Sequence, residues 1–345
     1  MESINIMRIL KYCFVFAIFS ILLWFFINNP KDYQVINGQT FGTYYTIKVK
    51  TSSEDKLLQK EIKEEFAKIN SEMSVFEISS EISEINRLPA GEWIELSPAL
   101  QSLLKKSYEI YKMSNGAFDP TTGKLVDLWG FGTSGGIQKI PTEDDIKKML
   151  SVTGFNTIKF SNDFSRLRKE YSETSLNLSA IAKGYGVDRI AALLKEQGYK
   201  NFIIEIGGEV TAAGKKSDTV KGWNVGVAFP DQNSDHNAFV VTLHNHSAAT
   251  SGDYRNFFYI DDQKYSHTID PTTGYPVKNN LISVTVFDKS CMIADGIATA
   301  IMSMGEKKAA DFIRRHNLAV IMFIKDNNGE ITSTVSDAAR KLGVQ

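Results

Sequence analysis

Phe202-Ile203-Ile204-Glu205-Ile206-Gly207-Gly208-Glu209 reads as a buried strand ending in a glycine turn. Ala180 to Gly198, just before it, is helical, with Ile181, Val187, Ile190, Leu193 and Leu194 on one face. After it come two more strand-like runs, Trp223 to Phe229 and Phe239 to Leu243. A further strand spans Ile282 to Phe287, and helices then follow through residue 315. Strands and helices mix without a steady βαβ alternation. The predicted class is therefore α+β, with mixed sheets and packed helices.

Outward from that stretch the same reading holds. Val35 to Lys50 carries strand composition, with alternation in its second half. Glu54 to Met73 is a predicted helix, because Leu57, Leu58, Ile62, Phe66 and Ile69 recur at helical spacing. Ser79 to Asn86 is a short helix or turn, and Pro98 to Met113 is a second amphipathic helix stopped near Asn115-Gly116. Thr142 opens another helix with acids in its first turn. Leu318 to Lys325, Asn327-Asn328-Gly329 and Ile331 to Val335 form a closing hairpin.

The N-terminus is of another kind. Arg8 and Lys11 precede an uncharged run from Tyr12 to Ile27 rich in Phe, Ile and Leu. A basic flank before an apolar core is a signal-type segment. Ile9 and Leu10 extend the run toward the roughly 17–25 residues a spanning helix needs. No small-x-small cleavage pattern follows, so an uncleaved anchor over residues 1–27 is favoured over a cleaved signal peptide. Basic residues before the run place the body outside the cytoplasm. Residues 28–36 read as a polar linker, leaving 37–345 as one domain.

Of 345 residues, 43% are apolar and 23% charged, with a net charge of −1. That composition is ordinary for a globular protein and points to no nucleic-acid partner. Cys13 and Cys291 are far apart, so no disulfide framework is proposed. No Gly-x-Gly-x-x-Gly opens a helix after a strand, no Walker-type loop occurs, and the five His have no zinc spacing.

Chemistry-bearing residues crowd into Ala249 to Val277. Thr250, Ser251 and Gly252 offer hydroxyls and a backbone that a ligand can approach. His267, between Ser266 and Thr268, suits a functional role, as a general base or a phosphate contact, and a satisfied surface histidine equally. Asp270-Pro271-Thr272-Thr273-Gly274 is a turn, and the same five residues occur at 119–123, as if two similar turns faced one site. Asp295 and Thr299 lie four apart on a helix and share a face; a carboxylate beside a hydroxyl suits Mg²⁺, although such pairs are common. His244 and His246 alternate on a strand and read as solvent-facing. The four Trp and the run Asn256-Phe257-Phe258-Tyr259 read as core.

Several segments together resemble the periplasmic FAD:protein FMN transferases of the ApbE type. They are Phe41-Gly42-Thr43; Met73-Ser74-Val75-Phe76 with Ser80-Glu81-Ile82-Ser83 and Asn86; Gly116 to Pro120 with Leu128 to Gly132; Leu178 to Tyr185; Glu205 to Glu209; Ala249 to Arg255; Ser266-His267 with Ile269-Asp270-Pro271; and Ala294-Asp295 with Ala298-Thr299. The resemblance covers roughly residues 37–325 in the family's order. It implies a T-fold-like flavin transferase architecture that binds FAD and Mg²⁺. It implies transfer of the FMN half of FAD onto a Thr or Ser hydroxyl of a partner flavoprotein, of the redox-complex subunit type, with release of AMP. FAD-contacting positions carry over to Phe41, Phe76, Ala117, Phe118, Asp119, Asn177, Lys183 and Ile269. Metal positions carry over to the Ala180 carbonyl, Asp295 and Thr299, and the catalytic position to His267. Three positions depart from the family's usual pattern: Phe41 for Met, Phe76 for Tyr, and Asn177 for Asp. The first two keep an apolar or aromatic surface, while Asn177 loses a charge. An FAD pyrophosphatase and a non-catalytic flavin-binding protein are the competing readings.

Overall fold

The computed structural model describes residues 33–51, 53–133, 136, 140–217, 219–231, 236–253, 257–260 and 263–344. The predicted anchor, Trp24 and most of the predicted linker lie outside them. In chain order the strands are β1 (Tyr33–Thr40), β2 (Thr43–Lys50), β3 (Ile94–Glu95), β4 (Ile158–Phe160), β5 (Arg166–Lys169), β6 (Phe202–Ile206), β7 (Glu209–Ala213) and β8 (Trp223–Ala228). They continue as β9 (Asn237–Leu243), β10 (His246–Gly252), β11 (Phe257–Ile260), β12 (Gln263–Ser266), β13 (Leu281–Asp288), β14 (Ala319–Lys325) and β15 (Ile331–Val335). The α-helices are α1 (Lys56–Met73), α2 (Glu81–Arg87), α3 (Pro98–Met113), α4 (Gly123–Leu128), α5 (Glu143–Leu150), α6 (Ser179–Glu196), α7 (Cys291–Arg315) and α8 (Asp337–Arg340).

Eight strands form one sheet in the order β1-β2-β6-β7-β10-β13-β14-β15, every neighbour pair antiparallel. This is the α+β arrangement the sequence predicts. Period-two alternation divides its side chains between two cores. On one face Ile47, Val49, Ile204 and Ile206 meet Leu58, Ile62 and Phe66 of α1 and Val187, Ile190 and Leu194 of α6. Farther along that face Ala249, Val284 and Val286 meet Ile297, Ile301 and Met302 of α7. On the other face Val210, Ala212, Ala248 and Phe323 meet Trp223, Val227, Val241 and Leu243 of the β8–β9 hairpin.

Helix boundaries follow their capping chemistry. Ser97 accepts from the Leu100 amide with Pro98 in the first turn of α3, and Thr142 and Asp145 complete a capping box on α5. The linker reading is corrected at its end: Tyr33 to Ile36 already belong to β1 and pair with Ile47 to Lys50. The run looks polar because buried Gln34 satisfies its amide on the Asp55 backbone, through two bonds of 2.9 Å. His244 is exposed on a turn rather than within a strand, and His246 opens β10 half-buried. Trp129 and Trp223 are core, whereas Trp93 is 43% exposed and Tyr259 63% exposed. Among the described residues no helix is long and apolar enough to cross a membrane.

Candidate functional site

One end of the large sheet gathers most of the motifs. The β1–β2 turn at Phe41-Gly42, the β6–β7 turn at Gly207-Gly208, the C-terminal end of β10 and the start of β13 lie there by register. Gly207 and Gly208 have φ of 60° and 105°, a backbone region that L side chains resist. Helix α1 ends at the same place, where Asn70 Nδ2 donates to Thr40 Oγ1 at 3.4 Å. Helix α6 passes close by, and the Phe41 ring fills the space a Cβ on Gly186 would need.

A charged cluster sits beneath this end, on the helix face of the sheet. Lys183 Nζ of α6 lies 2.6 Å from Glu209 Oε1 and 3.9 Å from Asp295 Oδ1 of α7. Glu209 and Asp295 are buried, while 31% of the Lys183 side chain is exposed. The Lys183–Glu209 contact is an ion pair, and Glu209 Oε2 has no hydrogen-bond partner among the described residues. Burial works against the Lys183 charge, but Asp295 and Glu209 outweigh it and hold its proton more tightly than in free lysine. Burial pushes Glu209 up to about 8 against the pull of Lys183, and it also raises Asp295.

Asp295 is fixed from α6 as well: the Gly184 amide donates to its Oδ2 at 3.0 Å. A Cβ on Gly184 would overlap the Cys291 carbonyl, so this glycine sets how closely α6 and α7 approach. Asp188 of α6 caps the other helix, accepting from Ser290 Oγ at 2.6 Å and from the Cys291 and Met292 amides at 2.9 and 3.1 Å. One turn past Asp295, Thr299 Oγ1 lies 3.4 Å from the Ala180 carbonyl and 3.4 Å from Ser251 Oγ. A carboxylate, a hydroxyl and a carbonyl at a helix start are hard oxygen donors. They fit a small divalent cation that keeps several positions for water and substrate phosphate.

A second group of motif residues surrounds a cleft of about 440 Å³ whose lining includes Phe76, Arg87, Lys124, Asp127 and Asn177. Phe76 is 68% exposed. Segments 117–123 and 174–178 run together here: the Asn177 amide donates to the Pro120 carbonyl at 2.7 Å, and Thr122 bridges Ser175. Asp119 is buried and its Oδ1 accepts from the Thr121 amide at 2.8 Å and hydroxyl at 2.6 Å; burial, opposed by those bonds, pushes it up to about 6. Asp270 makes the same two bonds with Thr272 at 2.8 and 2.7 Å, so both Asp-Pro-Thr-Thr-Gly runs open on the same Asp–Thr turn; they then diverge, the Gly123 amide donating to the Ser175 carbonyl and the Gly274 amide, at φ 75°, to the Asp270 carbonyl. The two are linked, since Trp129 Nε1 after the first donates to the Gly274 carbonyl of the second at 2.8 Å. Ala117 is half-buried at the start of this segment, but the Phe118 ring points into the core toward Gly296.

The third group lies on the β11–β12 side. His267 packs edge-on to Phe131 at 6.3 Å, and Ile269 is buried with Leu125, Trp129, Ile146 and Tyr265. Lys264 Nζ ties the hairpin to the sheet end through Asp253 Oδ2 at 3.1 Å. The grouping Thr250-Ser251-Gly252 is corrected: neighbours on a strand face opposite ways. Ser251 meets Thr299, whereas Thr250 Oγ1 turns to Thr285 Oγ1 at 2.8 Å on the other face. Tyr254 and Arg255 lie outside the described residues. Sequence reasoning gave Glu209 no role beyond marking a turn. Its signal was an acid directly after a strand and two glycines, where the next β-residue must turn one way into the fold.

The family model described as the ApbE family matches residues 41–322. An FAD:protein FMN transferase of Vibrio cholerae is 36% identical over 316 residues, covering 91% of this chain and 94% of that protein. One from Haemophilus influenzae is 34% identical over 316 residues, covering 89% and 90%. Among solved structures, the flavin transferase ApbE from Vibrio cholerae superposes with a TM-score of 0.82 at 34% identity, over 90% of this chain and 99% of that one. The apo form of the Pseudomonas stutzeri flavinyl transferase ApbE gives 0.82 at 31% identity, over 90% and 96%.

Proposed function

We propose that this chain, which belongs to the ApbE family, is an FAD:protein FMN transferase that joins the FMN half of FAD to a Thr or Ser hydroxyl of a target flavoprotein. In the reaction the acceptor oxygen bonds to the FMN phosphorus and the bond from that phosphorus to the bridging oxygen breaks. AMP leaves with that oxygen, and the hydroxyl proton passes to a base. The observation that carries the reading is the buried Lys183–Glu209–Asp295 cluster with the Ala180 and Thr299 oxygens beside it. A doubly anionic pyrophosphate needs such cationic and metal-binding groups.

Asp295, Thr299 and the Ala180 carbonyl would hold Mg²⁺, which supplies charge neutralisation and a template at the pyrophosphate. Lys183, kept protonated by its two carboxylates, adds a positive charge facing the same place. FAD would lie against the cleft that Phe76 and Asn177 line, with the other carried-over positions, Phe41, Ala117, Phe118, Asp119 and Ile269, contributing ring surface or backbone. His267 takes the acceptor proton or orients the phosphate, and the remainder is positioning. Residues 1–27 anchor the chain in the inner membrane, with the catalytic body on the periplasmic side. The test is the mass of a candidate target incubated with this protein, FAD and Mg²⁺. Gain of one FMN with release of AMP supports the reading. FMN and AMP formed with no gain in target mass would make the enzyme a pyrophosphatase instead.

A further inference from the structure

We propose that Lys169 is a positioning residue for FAD, acting through Asn86 to hold the wall of the cleft that carries Asn177. The inference rests on the reading of that cleft as the FAD site. Lys169, on β5, is only 1% exposed and has no carboxylate partner at ion-pair distance among the described residues. Its Nζ instead donates to three backbone carbonyls: Asn86 at 2.9 Å, Ser172 at 3.0 Å and Thr174 at 3.4 Å. An ammonium has three donors, and here three acceptors from two separate segments take them. One segment is the C-terminal turn of α2; the other is the loop leading to α6.

Asn86 carries the restraint onward. Its side chain pairs with the Leu176 backbone in both directions, Nδ2 donating to the carbonyl at 2.8 Å and Oδ1 accepting from the amide at 2.7 Å. Leu176 directly precedes Asn177, and Asn86, Leu176 and Asn177 all line the cleft. Arg87, the neighbour of Asn86, also lines the cleft and donates to the Ile78 carbonyl at 2.8 Å. A core-only role would be met by an apolar side chain of similar length, since burying a lone ammonium is costly. The ammonium is needed to tie together carbonyls that would otherwise be left unpaired.

The device has a pH signature. Burial, aided by Lys124 of α4 and opposed by Glu173 of the following loop, brings Lys169 down to about 8. A neutral amine has two donors for three carbonyls, and its lone pair must then face an oxygen. The clamp is therefore complete at neutral pH and loosens as pH rises through that value.

FAD affinity of the full chain, measured by flavin fluorescence without added metal between pH 7 and 9, tests this. Wild type is expected to lose affinity severalfold across that range. Lys169→Met is expected to bind about tenfold more weakly at pH 7, the scale of one or two lost hydrogen bonds, and to show no such pH dependence. A flat wild-type profile overturns the proposal, as does a folded Lys169→Met that binds FAD like wild type. If Lys169→Met does not fold, Lys169→Arg decides: it stays charged across this range and is expected to lose clearly less affinity from pH 7 to 9 than wild type, whereas a profile like that of wild type, in which Glu209 still titrates, overturns the proposal. Absence of FAD binding by wild type at any pH would instead sink the reading of the cleft, and the proposal with it.

Discussion

At the residue scale, charge separates the candidate ligands. Asp295 supplies a buried carboxylate already facing Lys183, whereas Thr299 supplies a neutral hydroxyl 3.4 Å from the Ala180 carbonyl. Asp295→Ala is expected to abolish Mg²⁺ or Mn²⁺ binding measured directly by calorimetry, with Thr299→Ala weakening it less. Unchanged metal binding in Asp295→Ala would remove this site from consideration. His267 calls for a different measurement, because it packs edge-on to the Phe131 ring on the β11–β12 side. His267→Ala is expected to bind FAD nearly normally but to transfer FMN on the order of 10²–10⁴ more slowly. Single-turnover transfer at saturating FAD is the readout. A wild-type rate there, with affinity reduced, would make His267 a phosphate-binding residue.

At the element scale, the site depends on how closely α6 and α7 pack. Gly184 lets the helices approach, its amide fixes Asp295, and Asp188 caps α7 from the same helix. Gly184→Ala is expected to cost roughly 1–3 kcal/mol of stability through overpacking and to weaken metal binding at the same time. Denaturant unfolding and metal titration of one sample check both. Full metal affinity in a destabilised Gly184→Ala would show that the helix spacing does not set the site. Patterns legible in the sequence were those written in local periodicity. α3 falls on Pro98–Met113 as predicted, because its cap and apolar spacing are both local. β1 was half missed because its buried Gln34 is satisfied by a residue 21 positions away. The same limit hid Glu209, Asp188 and Lys169. Each is an ordinary charged residue in sequence, and its role comes from partners on distant elements. The two Asp-Pro-Thr-Thr-Gly turns show the opposite case: their Asp–Thr side-chain bonds repeat, but the first is buried and the second partly exposed.

At the scale of the whole molecule, the question is where this catalytic body works. β1 begins at Tyr33, so few residues separate the sheet from the apolar run that ends at Ile27. Even fully extended, the intervening residues span only about 3.3–3.6 Å each. If residues 9–27 remain as an anchor, the β1 end of the sheet opposite the site is held near the bilayer. The register places Tyr33 beside Lys50, at the end away from the Phe41-Gly42 turn, so the cleft and charged cluster would face away from the membrane. A target flavoprotein could then reach the site from the aqueous side, or from a neighbouring membrane complex that projects outward. The full chain expressed in a bacterial host is expected to sediment with membranes, to resist release by alkaline carbonate, and to keep residues 1–27. Protease added to spheroplasts should reach its body. A mature N-terminus near residue 30, or release by carbonate, would replace the anchor with a secreted enzyme and leave the transfer chemistry untouched.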